Sequence, residues 1–134
     1  MTKEELLAMP AADYMNDVQL AFFRNLLQTR LEELHVHYRD GKVQLESLEN
    51  AADPADQAGV EEQRLFLGRS LQRDAAAIQE VKVALNDMES SYGFSVLTGE
   101  PIGLERLLVC PTAMYTVDEQ NRRERHQLHL ARTA

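Results

Sequence analysis

The feature that most constrains this chain is a heptad repeat running without proline from Asp17 to Asn50. Leu20, Leu27, Leu34 and Leu48 fall on one heptad position, with Gly41 at the missing step, and Leu31, Tyr38 and Leu45 fall on the companion position. An apolar a/d seam of this length specifies a helix that must pair with another helix, because an isolated seam leaves leucines in water. Asn16 or Asp17 can cap its start, and Gly41 marks either a close approach of the partner or a bend.

The partner follows in sequence. From Pro54 to about Ser90, Val60, Leu67, Leu71, Ile78, Val81, Leu85 and Met88 recur at steps of three, four or seven. Glu61, Glu62, Arg64, Arg69, Arg73, Asp74, Gln79, Glu80 and Lys82 are expected on the outward positions. Two heptad helices joined by a short loop fold back as an antiparallel pair, with arms of about 50 Å at 1.5 Å per residue. The loop carries Asp53 before Pro54, an N-cap followed by proline at the first helical position, with Asp56 two residues on. An ordinary helix begins this way, and the same two carboxylates also place negative charge at the hairpin tip.

Beyond Glu89 the pattern breaks. Tyr92 to Gly103 is rich in turn formers and β-compatible residues and reads as a small irregular or hairpin segment. Leu104 to Val109 reads as a short helix or strand ended by Cys110-Pro111, and Val117 to Ala134 as a closing helix. Thr116 and Glu119 have the spacing of a capping box at its start. The fold class expected is therefore mainly α: a long antiparallel coiled-coil hairpin, a small globular module and a C-terminal helix. The expected divisions are an N-terminal segment over 1–14 packing on the module, the hairpin over 15–90 with its tip near 50–58, and the module with its helix over 91–134.

Charge and composition narrow the function. The 134 residues carry a formal charge of −8, which repels phosphate backbones and argues against direct DNA binding. No apolar run spans a bilayer and Met1 to Met15 has no leader pattern, so a cytoplasmic protein is expected. One cysteine, Cys110, excludes an internal disulfide. There is no Gly-rich phosphate loop, nucleophile–base pair or metal triad, so the chain does not read as an enzyme. His35 and His37 read as surface or seam residues, and His126 and His129 as plain helix residues without a third ligand. Arg122, Arg123, Arg125 and Arg132 give the tail a basic bias, either a solvated face or a partner contact.

A set of short motifs resembles the DksA/TraR family of transcription regulators. They are Tyr14-Met15-Asn16-Asp17, Gln19-Leu20, Phe23-Arg24, the tip Asp53-Pro54-Ala55-Asp56-Gln57-Ala58, and Tyr92-Gly93-Phe94. They continue through Gly99-Glu100-Pro101-Ile102-Gly103, Arg106-Leu107 and Pro111-Thr112-Ala113, so the likeness runs from Tyr14 onward. The resemblance implies a monomeric, non-enzymatic factor that inserts its coiled coil into the secondary channel of bacterial RNA polymerase. It implies repression of ribosomal RNA promoters and activation of some biosynthetic ones, with the alarmone ppGpp as co-regulator at the polymerase interface. Asp53, Asp56 and Ala58 then act at the tip near the polymerase active centre. A Gre-like transcript-cleavage factor or a coiled-coil adaptor are the alternatives that share such a hairpin.

The chain departs from that family in two places. Typical members hold zinc with two Cys-x-x-Cys pairs; here the pairs align with Ser95 and Thr98 and with Thr116 and Glu119. Hydroxyls are poor zinc ligands, so no metal is expected and the module is a degenerate zinc finger. Its stability is expected from the capping box and from apolar packing by Phe94, Val96, Leu97, Ile102, Leu104, Leu107, Leu108, Val109, Met114, Tyr115 and Val117. Of the basic residues that the family directs at ppGpp, Arg73 is kept, while Ala76, Glu80, Cys110 and Gln120 stand where others are expected. Direct ppGpp synergy is accordingly expected to weaken, and Cys110 to be a bystander thiol.

Overall fold

The computed structural model describes residues 1–50 and 57–133. Five α-helices occur among them: α1 (Lys3–Leu7), α2 (Asp17–Asn50), α3 (Gln57–Asn86), α4 (Leu104–Val109) and α5 (Val117–Thr133). A 3₁₀ turn (Ala11–Asp13) precedes α2, and one antiparallel bridge joins Phe94 to Pro101. The chain divides into two compact units, residues 27–83 and residues 1–26 with 84–134.

The 27–83 unit is the helical hairpin. Leu27, Leu31, Leu34, Tyr38, Gly41, Leu45 and Leu48 are the buried or half-buried residues of α2 within it, and every residue between them is exposed. This is the a/d seam the heptads predict. The pairing is antiparallel: His37 Nδ1 meets the Asp74 carboxylate at 2.5 Å, while a Cβ built on Gly41 would lie 2.9 Å from Leu71 Cδ2. Four residues forward on α2 thus correspond to three residues back on α3. Gly41 is where Leu71 inserts.

On α3 the seam is more polar than expected. Val60, Arg64, Leu67, Leu71, Asp74, Ile78 and Val81 step by four and three without a break, and all are buried or half-buried. Arg64 and Asp74, expected to face outward, therefore occupy seam positions. Their long or paired side chains make this tolerable. The Asp74 side chain is 13% exposed and bonded to His37, and Arg64 carries its guanidinium out to Glu61 Oε1 at 2.9 Å.

The other unit assembles around Leu6, Phe23, Met88, Tyr92, Ile102 and Leu107, all buried. A capping box between Thr2 and Glu5 starts α1, which packs on α4. Asn16 is the residue that caps α2: its Oδ1 accepts from Gln19 N at 2.9 Å. The fully buried Gln19 side chain returns to accept from Met15 N at 2.9 Å, holding Met15 at a φ of +54°. Gly93, itself at φ +89°, leaves room for that side chain, since a Cβ there would fall 2.6 Å from Met15 Cγ.

The motifs quoted from the two ends of the chain meet here. Tyr14 donates to Gly93 O at 2.6 Å and accepts from Gly103 N at 2.9 Å, and its ring meets Phe94 edge to face. Burial raises the Tyr14 phenol above its ordinary pKa. The Tyr92 hydroxyl donates to Pro111 O at 2.8 Å, and burial raises its pKa strongly.

Candidate functional site

The four positions expected to hold zinc in the family converge in one cluster. Ser95 sits just after the Phe94–Pro101 bridge, where its N–H donates to Glu100 O at 2.8 Å and fixes a tight loop. Ser95 Oγ accepts from Leu97 N at 3.2 Å and Thr98 N at 3.4 Å, so a hydroxyl organises the turn that a thiolate organises in a finger. Thr116 caps α5, its Oγ1 accepting from Glu119 N at 3.3 Å. Glu119, in the first turn, is 4% exposed.

Glu119 joins the two halves. Ser95 Oγ donates to its Oε2 at 2.6 Å and Thr98 Oγ1 donates to its Oε1 at 3.0 Å. The Ser95 bond, followed by those from Thr98 and Thr116, holds the Glu119 carboxyl below its usual pKa against the opposing effect of burial. A charged, doubly bonded carboxylate thus ties the loop at residues 95–98 to the helix at 116–119. The donor set does not fit zinc: three neutral hydroxyls and one carboxylate whose oxygens already accept hydrogen bonds offer no thiolate or imidazole. Among the described residues no group of three or more His, Cys, Asp or Glu side chains is arranged to hold a metal ion.

This cluster replaces much of the expected apolar packing. Ile102 and Leu107 are buried, but Val96, Leu97, Val109, Met114 and Val117 are all exposed, Val109 to 85%. Of the capping box expected from spacing, the Thr116 half forms, while the Glu119 carboxylate that would complete it turns to Ser95 and Thr98. Spacing could not give these partners of the carboxylate, which lie more than twenty residues upstream.

The other expected residues are placed as follows. Asp53 and Asp56 lie outside the described residues. Ala58 is exposed in the first turn of α3, and Arg73 is exposed farther along that helix. Cys110 is half-buried at the end of α4, 3.8 Å from Thr112 Oγ1. No helix among the described residues is long and apolar enough to cross a membrane.

An antiparallel helical hairpin joined in sequence to a small module closed by side-chain hydrogen bonds defines a finger-like helical protein built without the finger's thiolates. Residues 19–88 match the family model of the DnaK suppressor protein DksA, N-terminal domain. The RNA polymerase-binding transcription factor DksA of Caulobacter vibrioides is 40% identical over 116 residues, covering 85% of this chain and 82% of that one. Its Escherichia coli K12 namesake is 30% identical over 117 residues, covering 81% and 74%. The structure of transcription factor DksA2 from Pseudomonas aeruginosa superposes with a TM-score of 0.88 at 39% identity, covering 96% of this chain and all of that one. The chain belongs to the DksA family.

Proposed function

We propose that this protein is an RNA polymerase-binding transcription factor whose hairpin enters the secondary channel and alters initiation, lowering ribosomal RNA transcription and raising some biosynthetic promoters. The observation that carries the reading is the family match over residues 19–88, which takes in the whole described hairpin. Relatives named for polymerase binding are matched over at least 74% of their own length, so the likeness is not confined to that hairpin. Asp53, Asp56 and Ala58 act at the tip, beside the polymerase active centre. The protein modulates the polymerase and is itself no enzyme. It works as a cytoplasmic monomer, and its charge of −8 keeps it off DNA.

Zinc is dispensable in this reading, because Glu119 and its hydroxyl donors close the module. Arg73 offers an exposed guanidinium to ppGpp, with fewer basic neighbours than the family usually supplies. The test is transcription in vitro from a ribosomal promoter, with purified polymerase and a zinc chelator present throughout. The intact protein should reduce initiation, and Asp56→Asn should abolish most of that effect. Unchanged initiation, or stimulated cleavage of backtracked RNA in its place, would sink the proposal.

A further inference from the structure

Glu119, Arg122, Arg123, His126 and Gln127 share one face of α5, being spaced three, four, seven and eight residues from the first. Together with Leu97 and Thr98 they line an open cleft of about 390 Å³. That volume lies within the range of small-molecule sites, about 300–1,000 Å³. Two of the lining residues are arginines and a third, His126, is cationic when protonated.

Neither guanidinium forms an ion pair with a carboxylate, although the Arg122 charge helps to hold the Glu119 carboxyl below its usual pKa. The ion pairs among the described residues are His37–Asp74 and Arg64–Glu61. Arg122 Nε reaches only the Asp118 carbonyl, at 3.5 Å, and the Arg123 guanidinium lies over the Tyr115 ring at 4.5 Å. The one carboxylate in the cleft, Glu119, is 4% exposed and has both oxygens taken by Ser95 and Thr98. In a chain with 22 acidic and 14 basic residues, unpaired arginines on one wall do not reflect a shortage of acids. Across from them Leu97 is 60% exposed and presents an apolar wall.

We propose that this cleft binds a phosphorylated small molecule, its phosphate held by Arg122 and Arg123 with His126 and its organic part lying against Leu97. Guanidinium forks bind phosphate oxygens in pairs, which favours phosphate over a single point contact. One leucine is too little apolar surface for an extended peptide, which favours a small ligand over a protein segment.

Isothermal titration calorimetry on the full chain tests this, with pyrophosphate and phenyl phosphate as probes and acetate and a glutamate-rich peptide as comparisons. Saturable binding of both phosphates is expected. The double variant Arg122→Gln/Arg123→Gln should weaken both by about tenfold or more, while Leu97→Ser should weaken phenyl phosphate alone. These side chains are exposed, and an unchanged circular dichroism melt will confirm that the variants fold. Absence of saturable phosphate binding up to about 5 mM overturns the proposal, as does a double variant that binds like the original chain. Binding of the acidic peptide without binding of phosphate overturns it in favour of a protein segment.

Discussion

Ser95 Oγ donates a 2.6 Å hydrogen bond to the Glu119 carboxylate across 24 residues of sequence. Because the folded carboxyl is held below its ordinary pKa, the linked stability is fully present above the unfolded value of about 4.3 and is lost as pH falls through the folded value. Thermal melts between pH 6 and pH 2.5 should therefore show a decline for the native chain that is shallower in Glu119→Gln. The Ser95→Ala variant should raise the Glu119 pKa toward the ordinary range in a carbon-13 titration and lower Tm at neutral pH by several degrees. A Glu119 titration unaffected by Ser95→Ala would refute the link.

Tyr14 carries two hydrogen bonds through one hydroxyl, to Gly93 O and from Gly103 N. Tyr14→Phe keeps the ring against Phe94 and strands both backbone groups in a part-buried setting. The expected loss is about 1–3 kcal/mol in denaturant unfolding. A loss near zero would mean that water replaces the phenol at no cost.

Gly93 and Gly41 should respond to alanine in opposite ways. At Gly93 a methyl meets Met15 Cγ at 2.6 Å on a backbone of φ +89°, so Gly93→Ala should cost about 1–2 kcal/mol in backbone strain alone. At Gly41 the obstacle is the mobile end of Leu71, and alanine gains up to about 1 kcal/mol in helix propensity. Gly41→Ala should be neutral or stabilising. Equal losses at the two positions would contradict this account.

Asp74 places a carboxylate on the hairpin seam, held by His37. Replacing it with leucine restores an apolar seam residue, and Asp74→Leu should stabilise the chain by about 1 kcal/mol or more toward urea. His37 is 65% exposed, so the pair is screened and His37→Ala should cost less than about 1 kcal/mol. Destabilisation by Asp74→Leu would show that the polar seam residue contributes to the native state more than a leucine would.

The hairpin was readable in the sequence because a heptad repeat is a local signal. From Leu27 to Leu48 the residues of α2 it selects are the ones the structure buries or half-buries, whereas Gln19 and Phe23, fully buried nearer the start of the helix, lie off that repeat. Arg64 and Asp74 read as outward residues by their charge, although Val60, Arg64, Leu67, Leu71, Asp74 and Ile78 keep the three–four step that places both on the seam. The module was less readable. Thr116 and Glu119 announce a helix start by their spacing, but nothing local says that the carboxylate turns to Ser95 and Thr98. For the same reason the arginines of α5 read only as a solvated face or a partner contact, since the cleft brings Leu97 and Thr98 together with Arg122 and His126.

The seam of the 27–83 unit is graded. Its fully buried side chains, Leu27 and Val81, and the nearly buried Ile78 all lie at one end, whereas glycine, aspartate and arginine interrupt it farther along, at Gly41, Asp74 and Arg64. Opening of the pair should therefore begin at the end near Asn50 and Gln57 and travel toward Leu27, like a zipper loosened from its pull. Amide hydrogen exchange would record this as a ramp, with deuterium entering residues 42–50 and 57–68 long before residues 27–34 and 78–83. Uniform exchange along both helices would mean that the hairpin opens as a single cooperative block.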